Sequence, residues 1–433
     1  MARINGYPES VQPGLPKLGK VPDGWEVSSL GKYLNEVRRP VALEDETQYR
    51  LVTVKRSRGG VVEREHLLGK DIKVKSQFRL LGGDFLISKR QIVHGACGIV
   101  PENLDGAIVS NEYAVLHSSK NFFLPFLAYL AESVYFQQTC FHSSIGVHIE
   151  KMLFKLDRWL NWKFNIPPVD EQKRIVALLA TWDRAITIVE KSIENNRRQK
   201  KALLHSLTEG TFRLKGFGPP STGNGLPKDW KTISLGKVGQ CITGLTYSPA
   251  DVTDDSGLLV LRSSNIVDNE IALDDNVYVT TPVPEEALTK AGDILVAVRN
   301  GSRNLIGKNA VIGDSATGMA HGAFMTLYRS EENYYLSHLF QSQRFTRQVN
   351  RHLGATINSI NISNMNRFKF PFPAKEERAA IASVLSASSR EISALRKYHT
   401  CLQSEKHALL RQLLSGELRL KVKGAGAPVA VNG

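Results

Sequence analysis

Two short basic stretches carry the side-chain types that read nucleic acid. Lys55-Arg56-Ser57-Arg58-Gly59-Gly60 follows a strand-like run, and Arg299-Asn300-Gly301-Ser302-Arg303-Asn304 follows another, Leu295 to Val298. Arginine and asparagine can bond bidentately to guanine and adenine edges, while lysine, serine and backbone amides grip phosphates. With Lys89 and Arg90 added, the candidate DNA contacts are Lys55, Arg56, Arg58, Lys89, Arg90, Arg299, Asn300, Ser302, Arg303 and Asn304. The bland use of the same residues is a solvated charge run. Arg197-Arg198-Gln199-Lys200-Lys201 lies inside a long helical pattern, where a solvated or partner-facing role is expected instead of base contact.

Residues that could do covalent chemistry are not arranged for it. No GxxxxGK[ST] phosphate loop occurs, since Gly69-Lys70-Asp71 and Gly307-Lys308-Asn309 lack its spacing and its hydroxyl. Asn165-Ile166-Pro167-Pro168 is close to the Asn-Pro-Pro-aromatic motif of amino-methyltransferases, but an isoleucine intrudes and no glycine-rich cofactor loop precedes it. Asp170-Glu171-Gln172-Lys173 could pass for a nuclease metal site; it stands in the first turn of a helix, where acids complement the dipole. His94, His142, His148, His321 and His352 show no metal-ligand spacing, and Cys97, Cys140, Cys241 and Cys401 lie too far apart in sequence for a zinc or redox pair. The expectation is no catalytic residue, no metal and no cofactor in this chain.

The chain has 433 residues, enough for two to four domains, and its 42% hydrophobic and 23% charged content is that of a folded protein. Lysine plus arginine exceed aspartate plus glutamate by 14, which favours a polyanionic partner. Free thiols and the absence of an apolar leader or membrane span predict a soluble, cytoplasmic protein.

What must position the basic loops is written twice. Pro22-Asp23-Gly24-Trp25 and Leu30-Gly31-Lys32 return 205 positions later as Pro227-Lys228-Asp229-Trp230 and Leu235-Gly236-Lys237. Gly83-Asp84-Phe85-Leu86 returns at a shift of 209 as Gly292-Asp293-Ile294-Leu295. Pro167-Pro168-Val169-Asp170-Glu171-Gln172 returns at 206 as Pro373-Ala374-Lys375-Glu376-Glu377-Arg378. The same 206 carries Leu207, Gly210, Arg213, Leu214 and Lys215 onto Leu413, Gly416, Arg419, Leu420 and Lys421. Landmarks in constant order predict a globular unit, a helix, a second globular unit and a second helix.

Alternate steps of four and three from Ile175 give Leu179, Trp182, Ile186, Val189, Ile193, Asn196, Lys200, Leu203 and Leu207, apolar at eight of ten positions. From Ile381 the walk gives Leu385, Ser388, Ile392, Leu395, His399, Leu402, Lys406, Leu409 and Leu413. Lys200 and Lys406 interrupt the two seams at the same step. Prolines just before each helix and Gly210 and Gly416 after them mark the ends. Two such helices side by side and antiparallel would relate the globular units by a pseudo-twofold axis. The globular units themselves look like mixed α/β material, with strand-like runs at residues 49–54 and 258–262 and a helix-like stretch at residues 123–138 and 334–353.

The box Pro167-Pro168-Val169-Asp170-Glu171-Gln172-Lys173-Arg174-Ile175, the helix end Leu203-Leu204-His205-Ser206-Leu207-Thr208-Glu209-Gly210 and the second copy Leu409 to Leu418 resemble the specificity subunits of type I restriction-modification systems. The opening Pro-x-x-Trp and the Gly-Asp turn belong to the same pattern, while Ala374 and Arg378 depart from it. The resemblance implies an α+β architecture: two mixed α/β target recognition domains separated by two long antiparallel conserved helices forming a coiled coil. It divides the chain into an N-terminal arm 1–20, recognition domains 21–165 and 216–371, helical regions 166–215 and 372–423, and a disordered tail 424–433. It further implies that each domain reads half of an asymmetric bipartite site in double-stranded DNA, in the service of host defence through DNA methylation. The helices would set the spacer and dock two modification subunits carrying S-adenosylmethionine; restriction subunits using ATP and Mg²⁺ would join them. Three alternatives stay open at this point: the recognition subunit of a type IIB system with a fused methylase and nuclease, a DNA methyltransferase or nuclease acting alone, and a helical scaffold that binds no nucleic acid.

Overall fold

The computed structural model describes residues 14–221, 225–353 and 358–420. The tail 424–433 and most of the N-terminal arm 1–20 therefore lie outside the described residues. The chain divides into two compact units: Met1–Ile188 with His399–Gly433, and Val189–Tyr398. Both divisions fall inside a long helix, Val169–Glu209 in the first case and Lys375–Ser415 in the second, each of 41 residues. Each unit thus contains one half of each helix.

In the first unit a four-stranded antiparallel sheet runs in the order Leu34–Glu36, Tyr113–Ser118, Phe85–Ser88, Cys97–Ile99. A five-stranded sheet beside it pairs the hairpin Gln48–Val54 and Val61–Leu68 with Ile108–Ser110, the Leu51–Ile108 contact being parallel. Phe85 and Ile87 on one face of the central strand join Phe126, Phe136, Trp159 and Phe164 in the main core, while Leu86 on the other face joins a second core with Val52 and Val109. The period-2 alternation of a strand divides its side chains between two cores in this way. The second unit repeats the order as Gln240–Thr243, Met325–Arg329, Ile294–Ala297, Asn309–Val311, and again a neighbouring sheet has one parallel pair, Val260 with Ala320.

The helix-like stretch read across residues 123–138 is two helices, Leu124–Leu130 and Val134–His142. Ser133 breaks it: its hydroxyl accepts from the Phe136 amide and so starts a new helix. Ser342 does the same for Gln343–His352 by accepting from Phe345, leaving Asn333–Leu339 as a separate helix. A serine side chain that satisfies an orphan amide competes with helix continuation, which the apolar periodicity alone does not reveal.

The long helices pack antiparallel within each unit. Ile175 and Leu179, near the start of the first helix, share the main core of the first unit with Leu410 and Leu413, near the end of the second. Leu204 and Leu207 share the core of the second unit with Ile381, Ala382 and Leu385. Val189, Ile392 and Leu402 are also buried. Trp182, Ile186, Ile193, Leu203, Leu395 and Leu409 are only half-buried. The deepest seam positions are those over which a recognition unit lays a third layer of apolar side chains; a two-helix pair alone leaves its flanks open to water. Full burial of one leucine contributes about 1.5–3 kcal/mol. Both helices end on glycines in the left-handed region, Gly210 at φ +70° and Gly416 at φ +72°. A Cβ on Gly210 would lie 2.5 Å from Pro227, and one on Gly416 would lie 2.2 Å from Pro22, so the helix ends meet the opening prolines of the repeat at backbone distance.

Candidate nucleic-acid interface

The repeated landmarks turn out to be the scaffold of the recognition units. Trp25 Nε1 donates to the buried Glu171 carboxylate at 3.0 Å, and Arg419 grips the same carboxylate with Nε and Nη2 at 2.8 and 2.9 Å. The Arg419 guanidinium lies 5.6 Å from the Trp25 ring centre. In the second unit Trp230 Nε1 donates to Glu377 at 2.9 Å, Arg213 reaches both oxygens of Glu377 at 2.8 Å, and Arg213 lies 5.8 Å from the Trp230 ring. The helix-end arginine of one repeat therefore closes on the box glutamate of the other. Glu171, read from sequence only as a complement to the helix dipole, is an ion-pair anchor. The signal available was that tryptophan, glutamate and arginine recur together at shifts of 205 and 206.

The departure of the second box from the first has a structural account. Gln172 donates to the Pro167 carbonyl at 2.9 Å and accepts from the Phe123 amide at 2.8 Å. Arg378, in its place, donates to the Pro373 carbonyl at 2.6 Å and adds a bidentate pair with Glu332 at 2.9 and 2.7 Å. The Gly-Asp turn is likewise structural: Asp84 caps the Leu81 amide and holds Arg39, and Asp293 caps the Lys290 amide and holds Arg329.

On this frame the candidate DNA contacts sit in loops. In the first unit residues 55–60 are the tip of the hairpin between Gln48–Val54 and Val61–Leu68. Ser57 and Arg58 adopt φ of +54° and +59°, a left-handed pair that side chains other than glycine occupy at a cost of about 1–3 kcal/mol each. The tip is pinned by Ser57 N donating to the His94 carbonyl at 2.7 Å and Arg58 N donating to Gly95 at 3.0 Å. That contact brings the tip against the turn that follows Phe85–Ser88, where Lys89 and Arg90 stand. Arg56 is paired with Glu150 at 2.8 Å, Lys89 donates to the Asn111 carbonyl at 3.2 Å, and Arg90 is held bidentately by Glu112. Lys55 and Arg58 are exposed and have no side-chain hydrogen bond or ion pair among the described residues.

In the second unit the equivalent loop leaves Ile294–Ala297, so Arg299 stands where Arg90 stands in the first. Arg299 bridges to Ser359 and lies 5.5 Å from the ring centre of Phe324, which is exposed. Asn300 Nδ2 donates to Ser263 Oγ at 3.0 Å, its Oδ1 accepts from the Ser302 amide at 3.0 Å, and Asn358 donates to the Gly301 carbonyl at 3.1 Å. Asn300 is thus spent on holding the loop. Ser302, Arg303 and Asn304 face solvent. Lys308, weighed in the sequence only as part of a phosphate loop, donates to the Ser263 carbonyl at 3.2 Å and braces the same loop.

Cys97 and Cys140 are buried and Cys241 half-buried, while Cys401 is exposed. Burial pushes the Cys97 thiol up to about 12 and Cys241 up to about 11. Burial, then the nearby charge of Lys200, lowers His338 to about 4. Among the described residues no group of three or more His, Cys, Asp or Glu side chains could hold a metal ion, and no helix is long and apolar enough to cross a membrane.

Residues 22–196 and 227–399 each match the type I restriction modification DNA specificity domain. The chain belongs to that family. It is 25% identical over 431 residues to the type I restriction enzyme MjaVIII specificity subunit of Methanocaldococcus jannaschii, covering 93% of this chain and 95% of the relative. A solved structure from work on the assembly and conformational transition of the type I restriction-modification system matches with a TM-score of 0.57 at 18% identity, covering 92% of this chain and all of that one. The S subunit of the M. genitalium type I system matches with a TM-score of 0.57 at 12% identity, covering 92% of this chain and 99% of that one. These solved structures share the fold. The chain is a type I DNA specificity subunit carrying two target recognition domains, and nothing favours the type IIB alternative.

Proposed function

We propose that each recognition domain reads one half of an asymmetric bipartite sequence in double-stranded DNA, the first through residues 55–60 with 89–90 and the second through residues 299–304. The observation that carries this reading is that the repeat keeps its clasps and turns but not its loops. A pinned hairpin tip presents Lys55 and Arg58 in one unit, and a braced loop presents Ser302, Arg303 and Asn304 in the other. Scaffolds with the same interior and different donors at the surface suit two unlike half-sequences. The excess of 14 positive charges supplies the sequence-independent attraction to phosphate.

In this proposal the long helices set the spacer and dock two modification subunits, which carry S-adenosylmethionine, and restriction subunits bring ATP and Mg²⁺. The chain itself contributes recognition and no catalytic group, and works in the cytoplasm. Exchanging residues 21–165 for another recognition domain, followed by long-read mapping of methylated sites, tests the assignment. One half-sequence should change and the other stay; a change in both halves overturns it.

A further inference from the structure

Lys200 and Lys406 occupy the same step of the two repeats, 206 positions apart, and their surroundings differ. In the first unit the Lys406 ammonium meets Asp183 at 2.8 Å and Glu132 at 3.1 Å, and lies 5.5 Å from the ring centre of Tyr129. Burial alone weakens that charge, but the two carboxylates more than offset it, and the lysine is held above its ordinary pKa. A lysine in this seam position is built to face two acids.

In the second unit the acids are gone. Gln341 stands for Glu132, Ser389 for Asp183 and His338 for Tyr129, at the same shifts of 209, 206 and 209. The Lys200 ammonium donates to Gln341 Oε1 at 3.0 Å and has no carboxylate within ion-pair distance among the described residues. Burial, then the Arg396 charge, lowers its pKa. Beside it opens a cavity of about 370 Å³, a volume in the range of small-ligand sites.

The cavity wall is unbalanced in charge. Arg197, Lys200, Lys201 and Arg396 line it, and Glu209, the acid of the same helix that also lines it, is already gripped bidentately by Arg344. That leaves Asp268 and Glu270, in the hairpin turn over the cavity, against four cations. Asp268 is shared by Arg197 at 3.2 Å and Arg396 at 2.9 Å. Asp268 and Asn269 both hold positive φ, +51° and +65°, so the turn is a tight left-handed pair fixed over the cavity by these contacts.

We infer that this cavity binds a small free oxyanion, a phosphate or phosphorylated metabolite, whose oxygens take the place beside Lys200 that the Glu132 and Asp183 carboxylates take beside Lys406. The anion joins the long helices to the hairpin and the Gln341–Gln343 corner of the second recognition domain. Phosphate shares its oxyanion chemistry with the DNA backbone, but a cavity of about 370 Å³ is filled by a free ion and is too small to take in a duplex. The inference stands independently of the half-site assignment above.

Titration of the full chain with inorganic phosphate, against chloride at matched ionic strength, tests it by thermal unfolding and by equilibrium dialysis. One phosphate per chain should bind and raise the melting temperature. Gln341→Glu combined with Ser389→Asp recreates the acids of the twin site. That variant should melt higher than the native chain without phosphate and bind phosphate at least roughly tenfold more weakly. Lys200→Met should also lose binding while keeping its recognition of DNA. Equal stabilisation by chloride, equal phosphate response in the double variant, or protection of Lys200 from acylation by a short DNA duplex but not by phosphate would each overturn the inference.

Discussion

Arg419 closes on Glu171 across 248 positions of sequence, with two hydrogen bonds of 2.8 and 2.9 Å to a carboxylate that is 5% exposed. Arg213 and Glu377 make the same contact with both partners at 3% exposure or less. A bidentate pair that also receives a tryptophan N–H is a fully satisfied buried charge, and removing one partner strands the other. Arg213→Ala, which leaves the Glu377 carboxylate buried without its cation, should therefore destabilise the second unit by about 3–5 kcal/mol. Arg419→Ala should cost the first unit less, because Arg419 holds one carboxylate where Arg213 also holds Asp229 at 3.0 and 2.7 Å. Urea titrations of both variants check the order; equal losses would show that the Asp229 pair does not matter.

Seam substitutions should not be equivalent. Leu179 and Leu385 are wholly buried against recognition-unit cores, whereas Ile186 and Ile193 are half-exposed. Leu179→Ala and Leu385→Ala should each cost about 2–5 kcal/mol, and Ile193→Ala clearly less. Calorimetric melting of the single variants decides this, with a larger loss at Ile193 contradicting the burial order.

His338 gives the second unit a pH dependence with a definite sign. Its folded pKa of about 4 lies below the ordinary 6.5, first because it is buried and then because Lys200 is charged. The folded state favours the neutral ring, so this contribution is complete above pH 6.5 and is lost as pH falls from 6.5 towards 4, by up to about 1.4 kcal/mol per pH unit. His338→Gln should flatten the acid limb of a stability-against-pH curve in that window. An unchanged limb would assign the loss to other groups.

Loop substitutions should separate the two half-sites. Arg58→Ala should weaken recognition of one half-sequence and Arg303→Ala the other, each by about 1–3 kcal/mol where the arginine bonds a base bidentately. Arg90, held by Glu112, and Asn300, held by Ser263, should shift recognition only by moving their loops. Binding measured on duplexes altered in one half at a time resolves the pairs; Arg58 and Arg303 acting on the same half would contradict the domain assignment.

Much of this architecture was legible in the chain, because a repeat is read by comparing the sequence with itself and a heptad seam by counting. The long helices and their glycine ends follow from the seams at Ile175 and Ile381 with Gly210 and Gly416, and the two-unit order from the return of Pro22–Trp25 as Pro227–Trp230. What stayed hidden involves partners far apart. Nothing local to Glu171 says that Arg419 will reach it, and the Ser133 and Ser342 breaks depend on one hydroxyl choosing an amide over water. The loop residues showed their chemistry but not their engagement: Arg56 and Arg58 are two positions apart, and only one has an acid beside it.

The crossing of the two helices between units has a consequence for how the protein is made. The unit Val189–Tyr398 is one unbroken stretch, and every part of it is synthesised before the last helix is finished. The earlier unit must wait, its Trp25 and Glu171 synthesised 394 and 248 residues ahead of the arginine that completes them. The part translated first is thus the last able to reach its finished form, and until then its apolar face stands open to whatever holds nascent chains.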